Sequence, residues 1–202
     1  MKKVWLCAVL FSITACVAMG ADTELPRKAP ELAFTVPGQG DKLISQYRGK
    51  VVALEFILTT CPHCQAASKV MSNFQREYGS RGFQAVDVAI NVLDDNRTRD
   101  QASGLTQNFT NQFQVAFPVG YVSRDQMLAF MGFSITERFV VPQLILIDRK
   151  GVIHYQTPPL GDEHATQEDV VRQRIEELLS LSNSASSHPP AKSKVAVARK
   201  SS

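Results

Sequence analysis

The sequence of 202 residues predicts an α/β domain with a mixed central sheet and helices on both faces of that sheet. The first observation behind this prediction is the alternation of apolar runs typical of buried strands with segments whose apolar residues recur at helical spacing. The second is a hairpin pattern followed by a last helical stripe. Crossover helices join parallel strands and a hairpin joins antiparallel ones, so the predicted sheet contains both orientations.

In the first half of the domain, the sequence predicts two buried strands with one helix between them. Residues 51–58 form an almost continuous apolar run, as expected of a central strand. Pro62 suits the first turn of the following helix, and Gly79 is expected to end it. Residues 83–91 are the second predicted strand, and residues 29–47 are expected to form a strand pair or an extended lead-in. The apolar stripe of the helix comprises Ala67, Val70, Met71, Phe74 and Tyr78.

In the next segment, the sequence predicts a helix, a short strand and another helix. A polar start at residues 94–96 precedes the stripe Ala102, Leu105, Phe109 and Phe113. Residues 117–122 are a short strand candidate, and Ser123 with Gln126 forms a capping-box pattern. The aromatic and methionine residues that follow are assigned to the core because of their helical spacing: Met127, Phe130, Met131, Phe133 and Phe139.

The domain closes with a hairpin and a last helix. The two predicted strands, 143–148 and 151–156, flank a tight turn at Arg149-Lys150. Thr166 with Asp169 is the predicted cap of the final helix. Its apolar stripe is Val171, Ile175, Leu178 and Leu179.

The two ends of the chain differ in composition from this domain. Residues 1–20 read as an export signal, because Lys2 and Lys3 precede an apolar run too short to span a bilayer. Residues 21–181 are assigned to the folded domain. Residues 182–202 are rich in Ser, Ala, Pro and Lys without apolar periodicity, so we expect a disordered basic tail.

The signal segment fits two kinds of processing. Ala18-Met19-Gly20 offers small residues to an ordinary signal peptidase. Ile13-Thr14-Ala15-Cys16 resembles a lipobox, in which Cys16 would carry a lipid anchor. Both alternatives predict a protein exported to the periplasm, or anchored in the membrane facing the periplasm or cell exterior, where disulfides persist.

The charge balance argues against a nucleic-acid partner. Six of the 22 Lys and Arg lie in the end segments, which leaves 16 basic against 19 acidic side chains in residues 21–181. No basic stripe remains there to follow a phosphate backbone. Nucleic-acid binding is therefore not expected.

The chemistry-bearing motif is Cys61-Pro62-His63-Cys64 at a strand-to-helix junction. Free backbone N–H groups and the helix dipole stabilise a thiolate at the first position, and the second cysteine lies one turn along. A structural disulfide over so short a loop would stabilise the fold little. Zinc would need further ligands, which the histidines are not spaced to supply. The motif therefore predicts a redox-active pair, with a Cu(I)-binding module as the alternative from another class.

Around this motif the chain resembles the thioredoxin superfamily, over about residues 29–181. The resemblance rests on Leu54-Glu55-Phe56 four residues before the cysteine motif and on Val141-Pro142 before a strand. It implies a thioredoxin-like fold and a cis bond before Pro142. It also implies that the main chain of Val141 binds a client peptide and that Glu55 exchanges a proton with Cys64. The alternative for Glu55, whose carboxylate would be costly in an apolar strand, is an ion pair with a lysine such as Lys50.

Two branches of the superfamily are visible. The Cys-Pro-His-Cys loop, with Val before the proline, resembles the DsbA-type oxidases. Three other segments, Arg48-Gly49-Lys50, Phe117-Pro118 and Leu146 to Gly151, resemble the exported TlpA/ResA-type thioredoxins and the related AhpC/TSA group. The second resemblance implies only a small insertion between the active-site helix and the cis-proline strand. A peroxidase is disfavoured, because Leu54 and Leu58 replace the Pro and Thr of the Pro-x-x-x-Thr-x-x-Cys pattern.

We therefore predict an exported thiol–disulfide oxidoreductase acting on client proteins through Cys61 and Cys64. Pro62 and His63 are assigned to redox tuning, because an imidazole at the helix start stabilises the thiolate and makes the disulfide more oxidising. This favours the oxidising or isomerising direction, with a reductase of the cytochrome c maturation type as the alternative. No cofactor or metal is implied, and a membrane redox partner is expected to reset the pair.

Overall fold

The computed structural model describes residues 24–185, which form one eight-stranded sheet with four α-helices. The strands are β1 (Arg27–Lys28), β2 (Ala33–Val36), β3 (Gly40–Leu43), β4 (Val51–Ile57), β5 (Phe83–Ala89), β6 (Val119–Tyr121), β7 (Gln143–Ile147) and β8 (Val152–Gln156). The helices are α1 (Pro62–Tyr78), α2 (Arg99–Phe113), α3 (Arg124–Met131) and α4 (Glu168–Ala185).

The sheet is mixed, as the sequence predicts. Its spatial order is β1-β8-β7-β4-β5-β6-β2-β3. The central strands β4, β5 and β6 run parallel, whereas β7 pairs antiparallel with β4, and every outer pair is antiparallel. All seven residues of β4 are buried, which agrees with its continuous apolar run.

Side chains on β4 alternate between two hydrophobic cores, one on each face of the sheet. Val52, Leu54 and Phe56 pack with α3, and this core contains the predicted methionine and aromatic residues, with Phe133 and Phe139 at its edge. Val51 and Ala53 face the opposite way, toward α1 and α4. Helix α2 covers β6 on that second face. The prediction of helices on both faces is confirmed.

The segments around the central unit also follow the predicted order. Strands β2 and β3 form the strand pair expected within residues 29–47, followed by a 3₁₀ turn over Ile44–Tyr47. The chain between α1 and β7 contains β5, α2, β6 and α3. Of these four elements, α2 and β6 form the small predicted insertion.

The end of α1 is predicted correctly, since Gly79 is its C-cap, whereas two predicted helix starts are wrong. Gly79 stays right-handed and continues into a 3₁₀ turn, while Gly82, with φ 91°, takes the left-handed conformation that ends it. Residues 94–96 form a loop, and α2 begins after Thr98, whose side chain accepts the N–H of Gln101. Thr166 does not cap α4, because its hydroxyl lies against the carbonyl oxygens of Asp162 and Glu163.

The predicted stripe of α2 contains a further exception. Leu105 is 40% exposed, whereas Thr106 is fully buried. The Thr106 hydroxyl donates to the Ala102 carbonyl at 2.8 Å, so a polar residue meets its hydrogen-bonding need inside the core.

Helix α4 reaches Ala185, the last residue that the structure describes, which lies four residues past the predicted domain boundary at 181. The predicted export signal in residues 1–20, the lipobox candidate Cys16 and residues 186–202 of the predicted tail lie outside the described residues. Among the helices between residues 24 and 185, none combines the length and apolar character needed to cross a bilayer.

Candidate active site

Cys61 is the N-cap residue of α1, directly after the central strand and its three-residue link. Its sulfur accepts the backbone N–H of Cys64 at 3.5 Å, and Pro62 occupies the first turn of the helix, where the sequence places it. Cys61 is half-buried and Cys64 is fully buried, and both are free thiols. Cys61 is therefore the sulfur that a second protein can reach.

Two amide side chains fix the link that presents Cys61, and the sequence analysis did not single out either of them. The Asn91 side-chain oxygen accepts the N–H of Thr59 at 3.1 Å. The Gln65 side chain donates to the Thr59 carbonyl at 3.1 Å. Asn91 follows β5 and Gln65 lies on α1, so the turn before Cys61 is held from two elements.

Cys64 is a buried thiol with a raised pKa. Burial raises the pKa of the Cys64 thiol well above its ordinary value, and the nearby Cys61 sulfur and Glu55 charge raise it further. A buried thiol of this kind keeps its proton until a base removes it. The arrangement therefore calls for a proton acceptor close to Cys64.

Glu55 lies in the central strand β4, near enough to Cys64 for its charge to affect that thiol. Its partner is a second carboxyl group rather than a lysine. Lys50, the ion-pair candidate from the sequence, donates to Gln84 at 3.0 Å and is exposed. Glu55 is instead the direct register partner of Asp87 on the parallel strand β5. Both carboxyl groups are buried, with exposures of 3% and 0%.

Burial is the main cause of the raised pKa of both carboxyl groups. It raises the pKa of Glu55 well above its ordinary value, and the Asp87 charge and a hydrogen bond to Asp87 raise it further. Burial also raises the pKa of Asp87, whereas hydrogen bonds from Ser68 and Glu55 lower it. Two carboxylates this close cannot both ionise cheaply, so the pair retains a proton near neutral pH.

The sequence signal for Asp87 is the same as the one that identified Glu55. Each acid stands inside an otherwise apolar strand, where a lone carboxylate would be costly. Asp87 went unnoticed because no cysteine motif draws attention to β5. The third group, Ser68, lies within the predicted helix and carries no distinguishing pattern.

The Val141–Pro142 peptide bond is cis, as the family resemblance implies. Within residues 24–185 the main-chain N–H and C=O of Val141 bond to no other group. Buried Gln143 holds this loop in place, since its side-chain amide donates to the Val140 carbonyl at 2.7 Å. The loop therefore presents an unpaired main-chain edge.

A cavity of about 580 Å³ opens beside this loop and reaches down to Glu55. One wall is α1, from His63 to Phe74, and the other is the loop that precedes α4, where Leu160 is 74% exposed. His63 is an exposed residue on the rim of this cavity. The cavity connects the buried carboxyl pair with the surface next to Val141.

A metal site was the alternative to redox chemistry. Across the part of the chain that the structure describes, no group of three or more His, Cys, Asp and Glu residues is arranged to hold a metal ion. The two cysteines would have to bind Cu(I) without further protein ligands of these types.

Comparison with known proteins identifies the family. The Redoxin family model matches residues 27–173, which is most of the chain and all of the site described above. The chain belongs to the Redoxin family. A comparison with curated proteins finds no significant match.

Solved structures agree with this Redoxin assignment. A protein from Chlorobium tepidum, named as thiol:disulfide interchange protein DsbE, superposes with a TM-score of 0.61 at 27% identity and covers 76% of this chain and 96% of its own. A thioredoxin-family thiol:disulfide interchange protein from Chlorobium tepidum TLS gives a TM-score of 0.58 at 20% identity over 76% of this chain and 97% of its own.

A third structure, named as a protein disulfide isomerase from Bacteroides thetaiotaomicron, has a TM-score of 0.60 at 19% identity. It covers 82% of this chain and 96% of its own. The last two likenesses show the shared thioredoxin-like fold. Together with the family match, these findings confirm the resemblance to the TlpA/ResA-type proteins, and this Redoxin chain is a thiol–disulfide oxidoreductase.

Proposed function

We propose that this chain is exported and exchanges the Cys61–Cys64 disulfide with thiols or disulfides of client proteins. The observation that carries the proposal is the asymmetry of the pair. Cys61 is accessible at the start of α1, whereas Cys64 is buried near a carboxyl group. The Cys61 sulfur reacts with the client, and the Cys64 sulfur then resolves the mixed disulfide.

The exchange proceeds through a mixed disulfide. The Cys61 thiolate attacks a client disulfide, forms a bond to one client sulfur and releases the other as a thiolate. Cys64 then loses its proton to Glu55 and attacks the Cys61 sulfur. The bond between Cys61 and the client breaks, the client leaves as a thiolate with two electrons gained, and the Cys61–Cys64 disulfide forms. Oxidation of a client runs through the same steps in reverse.

Val141 supplies the docking position for the client. Its unpaired N–H and C=O can pair with the main chain of an extended segment, in the manner of strand addition. Because such pairing involves main-chain atoms, it tolerates many client sequences. Pro142 maintains the loop geometry that exposes this edge.

The oxidising or isomerising direction follows from His63 at the second position of α1, where an imidazole favours the thiolate and therefore the reduced form of the pair. A reductase is the alternative. The reduction potential of the purified protein, equilibrated with glutathione, separates them. A value near about −120 mV is that of a strong oxidant, whereas a value near about −270 mV is that of a reductase and would contradict the role of His63.

Export follows from the charged and apolar pattern of residues 1–20. The protein would work in the periplasm, anchored by lipid if Cys16 is the processed residue. A membrane redox partner would then restore the pair after each cycle. Fractionation of cells expressing the full chain, compared with a Cys16→Ser variant, tests export and lipid anchoring.

Trapping the intermediate tests the whole proposal. Cys64→Ser should accumulate mixed disulfides between Cys61 and client proteins, because nothing resolves them. Cys61→Ser should form none and should lose all exchange activity. Non-reducing gels followed by mass spectrometry measure both outcomes, and equal labelling of the two variants would contradict the assigned order of the cysteines.

A further inference from the structure

The hydrogen-bonding needs of the buried carboxyl pair are not met unless a proton lies between its members. Within the described residues, Glu55 Oε2 and Asp87 Oδ1 are buried and receive no hydrogen bond from any donor. The two residues are register partners on adjacent strands, and a buried acceptor without a donor is costly. A single proton held between the two carboxyl groups supplies the donor that both oxygens lack.

Ser68 connects this pair to the main chain of the active-site helix. Its hydroxyl oxygen lies 2.6 Å from Asp87 Oδ2 and 3.0 Å from the Cys64 carbonyl oxygen. A hydroxyl has one proton and can donate it to only one of these acceptors. When Asp87 is ionised, Ser68 donates to it. When Asp87 carries a proton, Asp87 donates to Ser68 and Ser68 donates to Cys64.

We propose that Asp87 is a positioning residue of the proton-transfer site: it shares one proton with Glu55, and Ser68 relays the protonation state of this pair to the turn that carries Cys64. The proposal rests on the proposed disulfide exchange and adds the partner that sets the basicity of Glu55. Asp87 itself touches neither sulfur nor client.

The proton balance of the resolving step defines what the pair does. The Cys64 thiol gives its proton to the singly ionised pair, which becomes neutral, and the Cys64 sulfur bonds to Cys61 as the client thiolate departs. The neutral pair returns the proton to water through the cavity that reaches Glu55. Asp87 raises the proton affinity of Glu55 enough to draw a proton from a buried thiol.

Few other titratable groups lie near the Glu55–Asp87 pair. Cys64 faces the pair from α1, and the register neighbours on the flanking strands, Leu144 on β7 and Val119 on β6, are apolar. The remaining titratable residues that line the cavity are all exposed: His63, Asp162, Glu163 and Glu168.

Infrared titration of the carboxylic-acid C=O band of the full chain tests the sharing without any client. Asp87→Asn removes the like charge, so the titration midpoint should fall by about one pH unit or more. Ser68→Ala keeps both carboxyl groups but removes a donor that favours ionised Asp87, so the midpoint should rise. These opposite shifts distinguish proton sharing from a merely structural role, which would leave both midpoints where the wild-type chain has them.

The pH profile of the resolving step tests the link to Cys64. In single-turnover measurements with a mixed disulfide between Cys61 and a peptide thiol, the inflection for Asp87→Asn should move to lower pH in step with the infrared midpoint. An inflection unchanged from wild type overturns the proposal. If Asp87→Asn does not fold, an unchanged midpoint and inflection in Ser68→Ala overturn it equally. Failure of the wild-type chain to exchange disulfides at all would reject the proposed function while the infrared shifts still report on the pair.

Discussion

Glu55 is a buried acid in the central strand, and its register partner on β5 is the buried acid Asp87. An acid inside the apolar run of β4, six residues before Cys61, predicts a functional carboxyl group, and the structure places it near Cys64. Its true neighbour, Asp87, could not be deduced with the same certainty, because the pairing of β4 with β5 is a long-range contact. Both acids stand out by composition, and the fold brings them together.

The first residue-scale prediction concerns Glu55→Gln. Loss of the proton acceptor should slow resolution of the mixed disulfide by about 10²-fold or more, the usual contribution of a positioned base. The rate of mixed-disulfide formation at Cys61 should change little. Stopped-flow measurement of both steps checks this, with Glu177→Gln on the exposed side of α4 as the matched control. Equal rates in the two variants would remove Glu55 from the mechanism.

A second prediction concerns His63→Ala. Loss of the imidazole should destabilise the Cys61 thiolate and lower the reduction potential by about 30 mV or more, which corresponds to about 1.4 kcal/mol. Equilibration with glutathione measures the potential. His164→Ala changes another exposed histidine and should leave the potential unaltered. A potential for His63→Ala equal to that of wild type would make His63 a surface residue without a redox role.

The elements follow the sequence closely, and their ends follow it less well. Apolar periodicity identified every helix and the central strands, because burial of one face determines both. The ends depend on local hydrogen bonds that compete with one another. Thr98 caps α2 although the acidic residues before it look like the start, and a 3₁₀ turn ending at Gly82 follows α1 after its predicted end at Gly79. Composition alone does not choose between such neighbours.

Strand β6 offers an element-scale prediction through its close approach to β2. A Cβ atom at Gly120 would lie 2.5 Å from the Phe34 ring and 2.9 Å from the Thr35 carbonyl oxygen. Gly120→Ala should therefore lower the free energy of unfolding by about 1–3 kcal/mol. Gly104 in α2 has open space around it, so Gly104→Ala should instead stabilise the protein by up to about 1 kcal/mol. Urea denaturation measures both changes, and two changes of the same sign would contradict this account of β6.

At the scale of the whole molecule, the buried carboxyl pair links folding to pH. Burial raises the pKa of Asp87 to about 7 and that of Glu55 well above its ordinary value. The folded chain therefore binds these protons more tightly than the unfolded chain does. Their contribution to stability is fully present below the ordinary carboxyl pKa range and is lost as the pH rises through about 7.

We accordingly expect the free energy of unfolding to fall between pH 5 and pH 8, at up to about 1.4 kcal/mol per pH unit for each proton released. Urea denaturation at several pH values measures the slope. The double variant Glu55→Gln with Asp87→Asn has no carboxyl group at this buried site. Its free energy of unfolding should therefore change less with pH. A wild-type profile without any slope in this range would mean that the pair is ionised in the folded protein.

The two borders of the sheet have a consequence for the proposed exchange with client chains. At one border lies β1, which is only two residues long, and at the other lies β3, which carries Asp41 and Lys42. Short or charged border strands discourage an open chain from extending the sheet. A client chain in the proposed exchange is thereby discouraged from joining the sheet at either border, and the short main-chain edge at Val141 is the proposed place for a brief pairing.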